Sequence, residues 1–517
     1  MTKRVMATDE SLTAPKSPVL VRPALPSDLS SWLITAVSAI AAYLLVSHGM
    51  MMTASGWQVP LFVGAIAALA ASSALQGALA GTVIIAVGMA ALPPSAAGGA
   101  RFGLLAWALG VVLTLGAALT LGVMRERGND SRRKTADVWI AAALVVWLLV
   151  NLWAPLFAAG FPPSGYGAMR AATIREVPKP HTYVNDDALY RRIYYLMHTG
   201  EPYYQAFRDA WAGLGQSPAF PSSVTSVRLP TMYWMWALLP ADPFSIAYLF
   251  LAAATLGVVA AASIAGQLAG ARFAPLAAAA LVAYVIGSAI TVYITYVDLP
   301  AMCVALAGVA LLLRGRITQD LRYLWASAAI VTLAALTREI LIYIPLLALV
   351  TALFEPAEWR WRAAWPWVAS LGVFAAGYAA HVWAVRGMLV PESSAITYWK
   401  GSPLFALDSL ARFTDLMTGN GVLLAILFAL GVAGAIASKK RAGLPFALFA
   451  SAALIAPLLT MLKVGNPGID AAGNQVNYWG NLFVPMALAL WPAWVLLMPS
   501  AGEQAAREPQ ETATHLP

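Results

Sequence analysis

Long apolar runs, separated by short polar or basic stretches, cover most of the chain. A bilayer core of about 30 Å is crossed by roughly 20 residues of helix, and about fourteen runs approach that length. They lie near 31–53, 58–75, 77–93, 103–124, 137–159, 243–268, 273–295, 299–313, 323–337, 340–354, 364–386, 421–438, 444–462 and 481–499. The expected fold class is therefore all-α, a polytopic integral membrane protein of about 14 transmembrane helices (12–14). The runs between 299 and 354 are short enough to be tilted, re-entrant or fused.

One stretch breaks the pattern. Residues 160–242 form the largest polar segment, and within it His181-Thr-Tyr-Val-Asn-Asp-Asp-Ala-Leu-Tyr-Arg-Arg-Ile-Tyr-Tyr-Leu-Met-His-Thr-Gly200 reads as a capped amphipathic helix. Asn185 or Asp186 caps its start, Leu189, Ile193 and Leu196/Met197 recur at helical spacing, and Gly200 with Pro202 stops it. Such a helix is expected to lie flat on a membrane surface. Its first acids, Asp186 and Asp187, would then sit at the positive end of the helix dipole, which favours ionised carboxylates.

Composition agrees with a lipid environment. The chain is 60% hydrophobic with 11% charged residues and a mean hydropathy of +0.71, whereas a soluble domain carries about 25% charge. A single cysteine, Cys303, excludes a disulfide framework and a Cys-rich zinc site. The net charge of +8 lies in short clusters between apolar runs, the pattern of membrane-loop sorting and not of nucleic-acid binding. Lys3, Arg4, Lys16 and Arg22; Arg125, Arg127, Arg132, Arg133 and Lys134; Arg314, Arg316 and Arg322; Arg360 and Arg362; and Lys439, Lys440 and Arg441 all fall on one side of the topology. Positive-inside sorting makes that side the cytoplasm of a plasma (inner) membrane, with both termini inside and loop 160–242 outside. The first apolar run has no convincing cleavage site and is expected to act as a signal anchor.

Four regions follow. Residues 1–30 are a polar, Pro-containing tail expected to be disordered and cytoplasmic; 31–135 are an Ala- and Gly-rich four-helix module of no evident chemistry; 136–500 contain the chemistry-bearing loops; and 501–517 are a second cytoplasmic tail.

Candidate chemistry centres on the acid pair. The plain alternative is that Asp186 and Asp187 only start a helix. Their place in the largest loop, beside Tyr183, Tyr190, Tyr194, Tyr203 and Tyr204 that can stack on a sugar, favours a catalytic use. Asp298, in Ile294-Thr-Tyr-Val-Asp-Leu-Pro300, is a second candidate acid for an acceptor or a metal, or else a turn carboxylate before Pro300. Trp399-Lys400, Tyr478-Trp479 and Trp234 with Trp236 are either stacking walls or interfacial belts. The five histidines show no metal-ligand spacing.

These segments resemble the GT-C superfamily of polytopic glycosyltransferases over roughly residues 136–500. The carriers are Asn185-Asp-Asp with its helix; Gly200-Glu-Pro-Tyr-Tyr204; Arg228-Leu-Pro-Thr-Met-Tyr-Trp-Met-Trp-Ala-Leu-Leu-Pro240; Tyr296-Val-Asp-Leu-Pro300; and Leu336-Thr-Arg-Glu339. The resemblance implies transfer of a sugar from a polyprenyl-phosphate-sugar to a glycan, lipid or protein acceptor of the cell envelope, with inversion. It also implies that Asp186, favoured over Asp187, is the general base. Arg338, Arg228 and Lys400 would face the donor phosphate, and Asp298, Tyr203, Tyr204 and His181 the substrates. For Arg338 the alternative is a pairing with Glu339 or a nearby carbonyl. No nucleotide cofactor is implied; a divalent metal is left open. The chain departs from the family in four extra spans that precede the one leading into the acidic loop. It also has Asn474-Gln-Val-Asn-Tyr-Trp-Gly-Asn481 where the family has a basic residue before the last span. A transporter or flippase of a lipid-linked substrate is the competing class; it should show mid-span charges and repeated spans, and neither is evident.

Overall fold

Each of these apolar runs contains helix in the computed structural model, which describes residues 29–49, 58–91, 100–126, 130–157, 186–213, 221, 224–241, 245–291, 294–390, 421–463 and 477–498. The first helices are α1 (Leu29–Gly49), α2 (Gln58–Ala70), α3 (Ala74–Ala91) and α4 (Ala100–Glu126), which pack on one another, and then α5 (Asp130–Phe157). Three short helices follow: α6 (Asp186–His198), α7 (Tyr203–Gly213) and α8 (Thr231–Ala237). The remaining bundle comprises α9 (Ser245–Ala269), α10 (Ala274–Thr291), α11 (Asp298–Thr318), α12 (Leu321–Thr337), α13 (Tyr343–Ala352), α14 (Ala357–Arg386), α15 (Gly421–Ala437), α16 (Lys439–Lys463) and α17 (Val484–Leu490). No strand occurs among the described residues.

Six helices, α5, α9, α10, α11, α14 and α16, supply segments long and apolar enough to cross a membrane. Their surroundings fit lipid as solvent, because Trp139, Val146 and Val150 of α5 and Trp361, Trp365 and Trp383 of α14 are exposed. A water-soluble protein would not display so much apolar surface. At the centre stands α10, whose residues 276–286 are all buried. It is apolar on every face, as a fully enclosed helix must be. It contacts α1, α5, α9 and α17, and α1 is the main link between the four-helix module and the rest.

The structure also refines the runs the sequence left ambiguous. Residues 323–354 are not one fused helix: α12 ends at Thr337, Arg338 is extended (φ −140°, ψ 104°), and a 3-10 turn over Glu339–Ile342 leads into α13. By contrast α11 has 21 residues, longer than its apolar core, because Asp298 and Pro300 are tolerated in a first turn and Arg314 and Arg316 extend its far end. Gln319, in the left-handed region (φ 51°), terminates it. The Asp320 side chain then accepts the Arg322 N–H at 2.9 Å and caps α12. The last run is not a continuous α-helix but α17 between 3-10 turns Asn477–Leu482 and Trp491–Leu497.

Charges assigned to the basic loops are partly internal. Arg125 is buried, pairs with Asp137 at 2.6 Å, and donates to the Ala68 and Ala71 carbonyls at the end of α2. Arg316 is buried against Glu355 at 3.3 Å and Thr351 at 2.9 Å, tying α11 to α13.

Close packing of α9 on α11 depends on Gly257, where an added Cβ would meet Cys303 Sγ at 2.6 Å and Cys303 Cβ at 2.7 Å. Small residues at such crossings let backbones approach, which drives helix association where lipid removes the hydrophobic incentive. Gly257→Val is expected to cost about 1–3 kcal/mol, the usual range for overpacking. Thermal melts of the detergent-purified protein check this; a melt unchanged from the parent would show that the crossing yields freely.

Candidate functional site

α6 confirms the expected helix, beginning at Asp186 and ending before Gly200, whose φ of 102° closes the turn. Its buried stripe is Ala188, Leu189, Tyr190, Ile193 and Tyr194. This face meets protein, packing on α7 and α8. Three bonds strap the Arg228–Pro240 segment beneath it. Tyr203 donates to the Arg228 carbonyl at 2.6 Å, Tyr194 donates to Pro240 at 3.1 Å, and His198 Nε2 lies 3.0 Å from the Leu239 carbonyl.

The two acids differ in what surrounds them. Asp186 opens the helix, but its side chain lies outside the described set. Asp187 is 2% exposed. One of its oxygens accepts the Thr295 hydroxyl at 2.6 Å, and the other pairs with Arg191, one turn on, at 2.7 Å. Burial pushes its carboxyl above the ordinary value of 3.8, with Thr295 and Arg191 opposing that shift. Thr295 precedes α11, so Asp187 fastens the start of α6 to the turn that leads into Asp298.

Antiparallel packing of α11 and α12 brings Asp298 beside Arg338. Arg338 is 1% exposed and spans two carboxylates, with Nε 2.6 Å from Asp298 Oδ1 and Nη1 2.8 Å from Glu339 Oε1. Arg228 reaches the same Glu339 oxygen more loosely, at 3.8 Å, and its Nε donates to the Tyr190 hydroxyl at 3.1 Å. Two guanidinium groups thus balance two carboxylates. Burial would raise the Glu339 carboxyl, but Arg338 and Arg228 outweigh it and hold it below its ordinary 4.5. Glu339 Oε2 is buried with no hydrogen-bond partner among the described residues. An unmet buried acceptor costs about 1–3 kcal/mol, which makes this oxygen a natural seat for a hydroxyl.

Tyr204 and His381 extend the cluster towards α14. His381 Nε2 lies 3.1 Å from the Val227 carbonyl, which can only accept, so Nδ1 is left to accept the Tyr204 hydroxyl at 3.1 Å. Burial pushes the Tyr204 hydroxyl up to about 12, so it remains a donor at neutral pH. Beside His381, Phe374, Tyr378, Val382, Trp383 and Arg386 line an open, mostly apolar groove of about 570 Å³, with the Arg386 guanidinium 3.5 Å over the Trp383 ring.

The structure therefore gathers Asp187, Arg228, Asp298, Arg338, Tyr203 and Tyr204 around α6–α8 and the turns at one end of the bundle. His181 and Lys400 lie outside the described residues. Two expected roles change. Tyr203 is 3% exposed, its ring packed on Tyr204 and Tyr233, so it braces the loop and offers no stacking face. Trp236 is likewise buried against Tyr194 and Tyr233, whereas Trp234 is exposed. Sequence reasoning did not single out Thr295, Arg191 or His381; a lone histidine within the apolar α14 was the available signal. Among the described residues no three metal-ligating side chains come together. Asp298 and Glu339 are both bonded to Arg338, whose positive charge there disfavours a divalent cation.

Comparison of the chain with protein-family models, curated proteins and solved structures yields no match.

Proposed function

We propose that this protein is a membrane glycosyltransferase of GT-C type, crossing the bilayer about fourteen times with both termini cytoplasmic. It takes a sugar from a polyprenyl-phosphate-sugar and passes it to an envelope glycan, lipid or protein on the outer face. The observation that carries this is the buried cluster of acids and arginines beneath the start of α6, bordered by an apolar groove on α14. A donor with a long apolar tail and a charged phosphate needs both environments side by side.

In this mechanism Asp186 is the general base. A base must come within hydrogen-bond reach of the acceptor hydroxyl, and Asp187, enclosed with both oxygens engaged, is better suited to positioning. Asp187 holds the helix start, where the dipole keeps a carboxylate ionised. As the acceptor oxygen attacks the anomeric carbon, its proton passes to Asp186, and the bond to phosphate breaks with inversion. Charge then grows on the leaving phosphate. Arg228, whose 3.8 Å contact with Glu339 is the weakest of the cluster, is the cation most easily transferred to that phosphate, while Arg338 keeps Glu339 anchored. Glu339 Oε2 receives a sugar hydroxyl.

Purified protein in detergent, supplied with labelled polyprenyl-phosphate sugars, is expected to release polyprenyl phosphate. Release of no polyprenyl phosphate from any donor, while the protein moves intact lipid-linked sugar across a vesicle bilayer, would replace this reading with a flippase.

A further inference from the structure

A second groove lies at the end of the bundle opposite the acidic cluster. It has a volume of about 420 Å³ and runs between α9, α11 and α12 on the outer surface. Ala260, Ala307 and Ala310, all buried, make its floor, so the cleft exists because these crossings lack large side chains. Its lining is ordered by polarity. Leu256 and Val259 on α9 and Ile330 on α12 lie towards mid-bundle, whereas Gln267, Arg314 and Tyr323 come from the ends of α9 and α11 and the start of α12, which meet at one level.

Charge makes the site specific. The neighbouring basic residues are engaged, Arg316 by Glu355 and Thr351, and Arg322 by its 2.8 Å pair with Asp320. Arg314 is exposed and has no acidic partner among the described residues. A cation without a counterion at the polar end of a hydrocarbon-lined cleft complements one shape of ligand, a lipid with an anionic head. Gln267 Oε1, buried without a partner, adds an acceptor at the same level for a head-group hydroxyl.

We propose that this groove binds an anionic phospholipid of the cytoplasmic leaflet, one acyl chain lying over Ala260, Ala307 and Ala310 and the phosphate meeting Arg314. The site is independent of the transfer reaction. The test is native mass spectrometry of the full chain titrated with phosphatidylglycerol and, separately, with phosphatidylcholine of the same acyl chains. The first phosphatidylglycerol is expected to bind roughly five-fold more tightly, the scale of one Arg acting on an anionic head group. Arg314→Ala should erase that preference, Arg322→Ala should leave it intact, and Ala310→Phe, which fills the floor, should weaken the first site for both lipids. Equal affinity of the parent for the two lipids would reduce the groove to ordinary annular contact and overturn the proposal. So would an effect of Arg322→Ala as large as that of Arg314→Ala, or an Ala310→Phe protein that binds as the parent does.

Discussion

Asp186→Asn is expected to lower the rate of sugar transfer by about 10²–10⁴-fold, the usual contribution of a general base, with the donor KM little changed. Asp187→Asn should act by a different route. It removes the charge that Arg191 pairs with and weakens the acceptor of the Thr295 hydroxyl, freeing the start of α6. Its loss of transfer should therefore come with a raised acceptor KM, which Asp186→Asn should not show. The pH dependence separates them further. Because burial raises the Asp187 carboxyl above 3.8, its contribution to stability is largest below that value and falls as pH rises through the raised one. Glu339, held below 4.5, behaves oppositely, contributing above that pH and losing its contribution in acid. Steady-state kinetics of polyprenyl-phosphate release and melts between acid and neutral pH read both effects. Full activity in the two single variants and in the double variant would remove the acid pair from the mechanism.

Arg338→Ala should be the most damaging change to the fold. It leaves Asp298 and Glu339 without their shortest partner in a site where the guanidinium is 1% exposed. Breaking a buried pair from one side costs about 3–5 kcal/mol, because the remaining charge cannot return to water. Arg338→Lys should recover only part of this, since one ammonium does not match the fork that reaches two carboxylates. The combination Arg338→Met, Asp298→Asn and Glu339→Gln should restore most of the stability, as neutral replacement of buried ion groups often does. Transfer should stay low, because the seat for the sugar hydroxyl is altered. Thermal melts in detergent decide the stability claim. An Arg338→Ala protein that melts with the parent would show that water reaches the cluster freely.

Much of this site was visible one residue at a time and not as an arrangement. Asn185-Asp-Asp, Gly200 and Pro202 marked both ends of α6, and capping and left-handed turns are local enough to be read from a few neighbours. The pairing of Arg338 with Glu339 was also foreseeable as an alternative, because charges at membrane depth seek partners. That Asp298 would take the other side of the same guanidinium was not, since 40 positions separate them. Tyr203 looked like a stacking surface until burial assigned its ring to the loop beneath α6.

The sequence by itself determined the helical character, the positions of the apolar runs, the single large polar loop and the identity of its helix. Each follows from composition and from periodicity over a few turns. Tertiary structure alone decided which charges are internal. Arg125 and Arg316, indistinguishable in the sequence from solvated loop cations, are buried against Asp137 and Glu355, whereas Arg314 faces an open groove. The reason is physical: helix faces one or two residues apart diverge by a hundred degrees or more, roughly, so neighbours in sequence meet different surroundings. Only the packing of other helices settles whether a guanidinium finds a carboxylate, a carbonyl or lipid.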